Sequence, residues 1–554
     1  MLPEPPSPLG WDLVFEGGTI LGWRDCMTNR LGIEDHEVDP VRPEVMGVFG
    51  GFAYLGATML RVWAERTPGF SAELLDAAYF AGHPDVPPYA AEDWHQNEHT
   101  TEVMTGWLGW VMGDMNQDEL EADRVEAHAL RDGRPDLSKL TDRQLLDRAT
   151  SLKPVCRRMF DQHINQSGAA GIAPGVIASV CEAIGRPEAA MHLMAGMGGV
   201  DSAAPSYAMW DMSRAVRSHP DVAAMFDEGF DGLSERFRNC GQSAPIAFVS
   251  RVDDFVAEYG SRGPNEWDIH SASWETDPDL VLALIDSMRH SEDDASPAAE
   301  NSRREAERMK LGSEILEALA ADAETQGRFA AALRSAEVFL PGRERSKTNI
   351  IRVIGEVRVA VWEIGRRAVE RGELSSPRDI CLLFGDELEA LVDGTLEDIG
   401  EIVEGRRAHL EFLGTREPPF VFSSPPPPSS DWPEVGGDTV EHADVGDQLS
   451  GLPGCPGTAR GRAVVIDHPS DPGDLGPGDI MIAPMTDPAW TPLFVPAAAV
   501  VVNVGAPLSH AIIVSRELGI PCVVSVTGAT DKIPNGATVE VDGDSGTVTI
   551  IDLG

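Results

Sequence analysis

Apolar residues recur at three- and four-residue steps over most of the first 422 positions. Ile351, Ile354, Val357, Val361, Ile364 and Ala368 paint one face of a helix. Residues 311–320, 388–403 and 106–127 carry the same period and predict helices. Residues 82–89 and 291–297, where Pro, Gly, Asp and Ser gather, predict loops. Beyond residue 450 the pattern changes. ARGRAVVI, GDIMIAP, AAVVVNV, PCVVSV, ATVEVDG and GTVTII read as short β-branched strands parted by turn formers, with one helix at 509–518 among them. No internal repeat is visible.

Between the two patterns, residues 423–450 are rich in Pro, Ser, Gly and acid. The four prolines Pro425 to Pro428 favour extended polyproline geometry, so this segment reads as a semi-rigid arm with flexible ends. The expected fold is therefore α plus α/β: a mostly helical domain at 1–422, a linker at 423–450 and a small α/β domain at 451–554.

Composition narrows the partners. Against 44 Lys and Arg stand 90 Asp and Glu, a net charge of −46, which repels nucleic-acid backbones and anionic lipid surfaces. No apolar run reaches the roughly 18 residues of a membrane span. The N-terminus has neither the basic start nor the apolar stretch of a signal peptide. The 7 cysteines are odd in number, scattered and free of CxxC pairs, against a disulfide scaffold or a cysteine-built zinc site. Reduced thiols in a cytoplasmic protein are the expectation.

The chemistry concentrates around residue 510. A buried strand runs into a turn at 505–507, Ser509 stands at a helix N-cap, and Gly519 with Pro521 ends the helix. His510 falls at the first helical position, where unpaired N–H groups and the helix dipole disfavour an imidazolium and favour an anion. A neutral nucleophilic imidazole that becomes a phosphoimidazole suits that place. Geometry alone equally allows an ordinary capping residue.

Sequence motifs add to this. Thr486-Asp-Pro-Ala-Trp-Thr-Pro-Leu-Phe, Leu508-Ser-His-Ala, Ser515-Arg-Glu-Leu-Gly-Ile-Pro-Cys-Val-Val and Gly528-Ala-Thr closely resemble the swivelling phosphohistidine domain. That domain is shared by phosphoenolpyruvate synthase, pyruvate phosphate dikinase and rifampicin phosphotransferase. The resemblance implies that His510 is transiently phosphorylated, in a loop shaped by Thr486, Asp487, Gly505, Ser509 and Arg516. Two departures stand out: Ala506 follows Gly505 where the family has Gly-Gly, and Ser515 replaces the Ala of Ala-Arg-Glu.

Upstream, Tyr259-Gly-Ser-Arg-Gly-Pro-Asn-Glu-Trp-Asp-Ile resembles a substrate-domain stretch of the rifampicin-phosphotransferase group, and Arg343-Glu-Arg-Ser-Lys347 is similar to its Arg-Glu-x-x-Lys motif. Arg343 and Lys347, four apart, would share a helix face, and the resemblance implies that they clamp a phosphoryl group in transit. Arg262, Glu266 and Asp268 read either as site residues or as a structural salt-bridge knot.

The acceptor is the open question. Trp and Met cluster at Trp94, Met104, Trp107, Trp110 and Met112, and again at Met191, Met194, Met197, Met209, Trp210 and Met212. Singly each is ordinary core; together they could line a cavity for an aromatic ring. The candidate acceptor contacts are Trp107, Trp110, Met194, Met197, Trp210, Arg262 and Glu266. No GxxxxGK[ST] phosphate loop occurs, and Gly196-Met-Gly-Gly, lacking a lysine, reads as a tight helix contact. Neither an ATP-grasp domain nor a C-terminal barrel is visible, so ATP and its Mg2+ are expected on a separate ATP-grasp subunit. This split resembles the two-subunit phenylphosphate and alkylphenyl phosphate synthases of aromatic compound breakdown, which implies a small hydroxylated aromatic acceptor.

The alternatives are a larger hydroxylated compound such as a rifamycin-like antibiotic, a non-catalytic scaffold that kept the histidine domain, and a metal-dependent hydrolase built on His95 and His99. The last lacks its general base, because Gln96 stands where the zinc-hydrolase pattern has Glu, and no metal is expected. His95 or His99 could instead act as general base towards the acceptor, with His83 and His192 as comparable candidates.

Overall fold

Five helices position everything discussed below: α1 (Glu98–Gly109), α2 (Lys153–Ala170), α3 (Pro297–Ala318), α4 (Ala323–Glu370) and α5 (His510–Leu518). The computed structural model describes residues 4–41, 43–80, 85–230, 232–293, 296–435, 442–469, 471, 473–506 and 509–554. The expected α plus α/β architecture holds. Contacts divide the chain into two compact units, with the division falling inside α4 after Arg345.

The first unit comprises Met1–Gly168, Asn265–Ser271 and Ser346–Thr439. Its core is the predicted face of α4: Ile351, Ile354, Val357, Val361, Ile364 and Ala368 are all buried, against Phe15, Trp23, Phe160 and Trp267 among others. A hairpin of β1 (Met46–Phe49) and β2 (Phe52–Leu55) joins this unit. Two of the predicted helices are broken. The 106–127 stretch passes from α1 through a π-helical turn at Trp110–Asp114 to a left-handed residue, Met115 (φ 55°), before a new helix starts at Asp118. The 388–403 stretch is interrupted between Val392 and Ile399, where Gly394 (φ 71°) and Asp398 (φ 57°) reverse the chain. Periodicity survives a break of this kind because the new helix resumes with its apolar face inward.

The second unit comprises Ala169–Pro264, Ala272–Arg345 and Val440–Gly554. Six predicted strands appear as β5 (Thr458–Val465), β6 (Ile480–Ala483), β7 (Ala499–Val502), β8 (Cys522–Val524), β9 (Thr538–Asp542) and β10 (Thr547–Asp552). Two short strands without a β-branched run, β3 (Gln448–Ser450) and β4 (Leu452–Cys455), complete a mixed sheet of order β3-β10-β9-β5-β6-β7-β8-β4. β5 to β8 run parallel in sequence order, and α5 is the crossover from β7 to β8. β6, β7 and β8 are apolar throughout because both faces are covered. Ile480, Ile482, Ala499 and Val501 pack on one side, while Met481, Ala483, Val500 and Val502 pack with Met209, Trp210, Phe255 and Trp274.

The units thus do not follow the segments 1–422, 423–450 and 451–554: helical residues 169–264 and 272–345 share a core with the C-terminal sheet. The arm is also tied down at its described ends. Glu417 N–H donates to the Pro433 carbonyl at 2.9 Å and Trp432 Nε1 to the Pro427 carbonyl at 2.9 Å, and the Trp432 ring packs on Phe52. At its other end Gly446 N–H reaches the Ile550 carbonyl at 2.8 Å and β3 pairs with β10. Residues 436–441 of the arm lie outside the described residues. Among the described residues no helix is long and apolar enough to cross a membrane.

Candidate active site

The carboxyl ends of neighbouring parallel strands are where open α/β sheets place ligands, and His510 lies there. It opens α5 just after β7, and its partners come from the segment after β6. Thr486 Oγ1 lies 3.1 Å from His510 Nδ1, and Thr491 Oγ1 lies 2.9 Å from Nε2. The Phe494 ring stands edge-on to the imidazole at a centroid distance of 6.0 Å. Both ring nitrogens therefore have hydroxyl partners that can donate or accept, which fixes the ring plane in either tautomer. His510 itself is half-buried, whereas Thr491 is fully buried.

The loop around it is held on three sides. Asp487 accepts the Ala489 N–H at 2.9 Å, capping a turn of 3-10 helix. Asn503 and Thr530 exchange two hydrogen bonds, 2.7 and 3.0 Å. Gly505 passes so near β8 that a Cβ there would lie 2.6 Å from the Val524 side chain, and its carbonyl accepts the Ser525 hydroxyl. Ser509 takes the extended N-cap conformation, yet its side chain makes no capping bond, and its buried Oγ has no partner among the described residues. Pro507 and Leu508 lie outside the described residues.

Arg516 does not belong to this loop. It is buried, donates through Nε to the Gly454 carbonyl at 3.0 Å, and burial pushes its pKa down although the neighbouring Cys455 and Cys522 oppose this. Its place on α5 faces β4, away from the helix start. Its neighbour Glu517 forms a contact that the sequence did not reveal. The carboxylate is buried and accepts the backbone N–H groups of Met197 (2.9 Å) and Gly198 (3.1 Å) and the side-chain amide of Asn301 on α3 (2.6 Å). Burial nonetheless raises its pKa. The Gly196-Met-Gly-Gly cluster is the trace of this contact: Gly196 (φ 61°) approaches α3 closely enough that a Cβ would lie 2.5 Å from the Glu305 nitrogen. The tight helix contact expected there is present.

In the first unit a cavity of about 250 Å³ is lined by Arg30, Trp107, Trp110, Asn116, Glu119, Gln162 and Asn165. Trp107 near the end of α1 and Trp110 at the start of the following π-helical turn sit one turn apart, as do Gln162 and Asn165 on α2, so each pair shares a face. Trp107 Nε1 donates to Asn165 Oδ1 at 2.8 Å.

Residues 475–546 match the PEP-utilising enzyme mobile domain, and residues 162–344 match the rifampicin phosphotransferase fourth domain. Two separate segments of the chain are thus similar to domains of the PEP-utilising and rifampicin phosphotransferase proteins. An uncharacterized protein of Mycobacterium tuberculosis is 33% identical over 341 residues, 61% of this chain and 35% of that protein. The prodigiosin synthesizing transferase PigC of Serratia marcescens is 31% identical over 305 residues, 53% of this chain and 33% of that protein. The rifampicin phosphotransferase of Bacillus cereus is 28% identical over 356 residues, 62% of this chain and 39% of that protein. The chain thus matches well under half the length of these relatives.

The remaining expected site residues scatter over the two units. Lys347 and Glu266 do meet, at 2.9 Å, with Glu266 fully buried and the ammonium over the Trp267 ring. Arg343 belongs to the other unit and pairs with Glu344. Arg262 is buried, and its carbonyl accepts the Trp274 N–H. Asp268 anchors the N-terminal segment by accepting both the Ser7 N–H and the Ser7 hydroxyl. Trp210 is core, with Arg214 stacked on its ring at 4.0 Å, and Met194 is buried too. Met194, Met197 and Trp210 belong to the second unit, whereas Trp107 and Trp110 belong to the first. His95 sits in a separate 3-10 turn, with Nδ1 bonded to the Tyr89 hydroxyl at 2.7 Å, while His99 is exposed on α1. They do not share a helix, and among the described residues no cluster of three or more His, Cys, Asp or Glu side chains could hold a metal. His83 lies outside the described residues.

Proposed function

We propose that this chain is the phosphohistidine carrier and acceptor-binding part of a phosphotransferase. The observation that carries the reading is His510 at the start of α5, oriented by Thr486 and Thr491 within a matched mobile domain. ATP and Mg2+ are bound on a separate ATP-grasp partner. His510 attacks the β-phosphorus as the bond to AMP breaks, the terminal phosphate is lost to water, and phosphohistidine remains. The N–P bond then breaks as the acceptor oxygen bonds to phosphorus and the hydroxyl proton departs. The sum is ATP, acceptor hydroxyl and water giving AMP, inorganic phosphate and acceptor phosphate. Most of the catalysis in such transfers is positioning and electrostatics.

The acceptor in this reading is a small phenol. The size of the Trp-walled cavity supports it, since drug-sized ligands occupy pockets of roughly 300–1,000 Å³ and this one measures about 250 Å³. A second reading, a larger hydroxylated acceptor, is favoured by the relatives named rifampicin phosphotransferase. One experiment separates them. Chain labelled from β-labelled ATP in an extract of its own cells is repurified and offered phenol, a cresol or a rifamycin. Label passing to the phenols supports the first reading, label passing only to the macrocycle supports the second, and label passing to neither contradicts both.

A further inference from the structure

Asn165 lies on α2, lines the cavity beside Trp107 and Trp110, and is 4% exposed. An indole N–H only donates, so the atom that meets Trp107 Nε1 at 2.8 Å is the amide oxygen. That bond fixes which way round the amide lies, and its N–H2 group points the other way. Nδ2 bonds to no described residue, yet it is not among the polar atoms sealed from solvent without a partner. In a residue this buried, the opening that Nδ2 meets is the cavity the residue lines.

The rest of the wall suits the same kind of guest. Trp107 and Trp110 supply aromatic faces, with centroids 6.5 Å apart and planes tilted by 44°. The Trp110 indole and the Asn116 amide bring further N–H groups to the wall. Arg30 is committed to Asp161 at 2.6 Å and to Glu119 at 2.8 Å, so carboxylates balance its charge. The backbone is irregular where it meets the cavity. Arg30 ends one π-helical turn (Cys26–Arg30), Trp110 begins another (Trp110–Asp114), and the left-handed Met115 precedes Asn116. Turns of this kind are rare and concentrate at functional sites. The cavity is aromatic, charge-balanced and rich in donors, and a flat ring carrying an oxygen that accepts a hydrogen bond matches it.

We propose that this cavity is the acceptor pocket and that Asn165 Nδ2 donates to the oxygen of the aromatic acceptor, selecting aryl oxygen compounds over hydrocarbons of the same shape. Calling the guest the acceptor rests on the phosphotransferase reading; the selection concerns binding alone. Asn165 recognises the oxygen lone pair and not the hydroxyl proton, so a phenol and its methyl ether are both admitted. Only the phenol has a hydroxyl to phosphorylate, which makes an aryl ether an inhibitor. Asn165 is thus a specificity-determining residue.

The test is calorimetry on the full chain, without ATP or partner, with two pairs of like-shaped probes: anisole against ethylbenzene, and phenol against toluene. Each oxygen compound should bind roughly fivefold or more tightly than its hydrocarbon partner, the worth of a single neutral hydrogen bond. Asn165→Asp keeps the side-chain size and an oxygen for Trp107, and turns an oxygen to the cavity where N–H2 stood. It should abolish the preference for anisole over ethylbenzene, while phenol, which donates to the new oxygen, keeps its lead over toluene. Absent or equal binding of anisole and ethylbenzene by the unaltered chain would overturn the proposal whatever the fate of the variant. So would an anisole preference that survives in Asn165→Asp. In an extract of its own cells, anisole should slow the passage of label from the chain to phenol; transfer indifferent to saturating anisole would refute the assignment of the pocket to the acceptor. Absence of label on His510 with the binding order intact would refute the carrier reading and leave the pocket standing.

Discussion

Asn301 hands its side-chain amide to Glu517 across 2.6 Å, and through that carboxylate α3 holds the far end of the helix that begins with His510. The same carboxylate receives the N–H groups of Met197 and Gly198, so three donors depend on one buried acid. Glu517→Ala leaves them unmet, at about 1–3 kcal/mol each in an interior that stays dry. Urea unfolding should show a loss of several kcal/mol, and a loss near zero would mean that water or relaxation replaces the acid. The pH sign follows from the raised pKa of Glu517. The folded chain takes up this proton at higher pH than the unfolded chain, so this group's contribution to stability grows as pH falls from neutrality towards the ordinary carboxylate range. Glu517→Ala should lack that component.

Thr491→Val keeps the shape of a buried side chain and deletes the hydroxyl on His510 Nε2. One hydrogen bond at about 1–1.5 kcal/mol predicts a roughly tenfold slower phosphorylation of His510. Rapid-quench labelling reads this directly. An unchanged rate would show that Thr491 does not orient the ring.

Lys347 carries two expectations at once. Its ion pair with the buried Glu266 predicts that Lys347→Met destabilises the fold by about 3–5 kcal/mol, because a buried carboxylate loses its ammonium partner. Adding Glu266→Gln should recover most of that stability. The resemblance to Arg-Glu-x-x-Lys predicts a fall in kcat of about 10²–10³ that persists in the double variant. Full recovery of turnover would assign Lys347 to the fold alone.

Burial pushes the thiols of Cys156, Cys455 and Cys522 up to about 12 and raises those of Cys26, Cys181 and Cys381 as well. Thiolate is the reactive form, so these groups stay protonated and slow at mildly alkaline pH. Alkylation of the native chain should show rapid reaction only at the partly exposed Cys240. Fast loss of several thiols would contradict the buried placement.

The sequence made some of this legible and hid the rest for physical reasons. A fully buried parallel strand is a plain apolar run, so β6 to β8 were visible, and Ser509, Gly519 and Pro521 marked the ends of α5. β3 and β4 were not visible: they are three or four residues long and owe their form to pairing with β10 and β8. Thr486 was legible because it stands in a motif. Thr491, five residues on in the same motif, became a candidate only when the structure placed it on the second nitrogen. Trp107 and Trp110 were legible as a pair, one helical turn apart. Trp210 looked identical in sequence, because an aromatic residue on a helix face reads alike whether it lines a cavity or fills a core. Glu517 was hidden by distance, since its donors lie more than 200 residues away in sequence.

Whether His510 carries the phosphoryl group is the central question, and one measurement addresses it most directly. The chain is incubated with β-labelled ATP in an extract of its own cells, digested at alkaline pH, and its peptides are mapped by mass spectrometry. The account predicts a single acid-labile, base-stable phosphoryl group on His510 and none anywhere on the His510→Ala chain. A phosphoryl group on another residue, or undiminished labelling and turnover in His510→Ala, would contradict it.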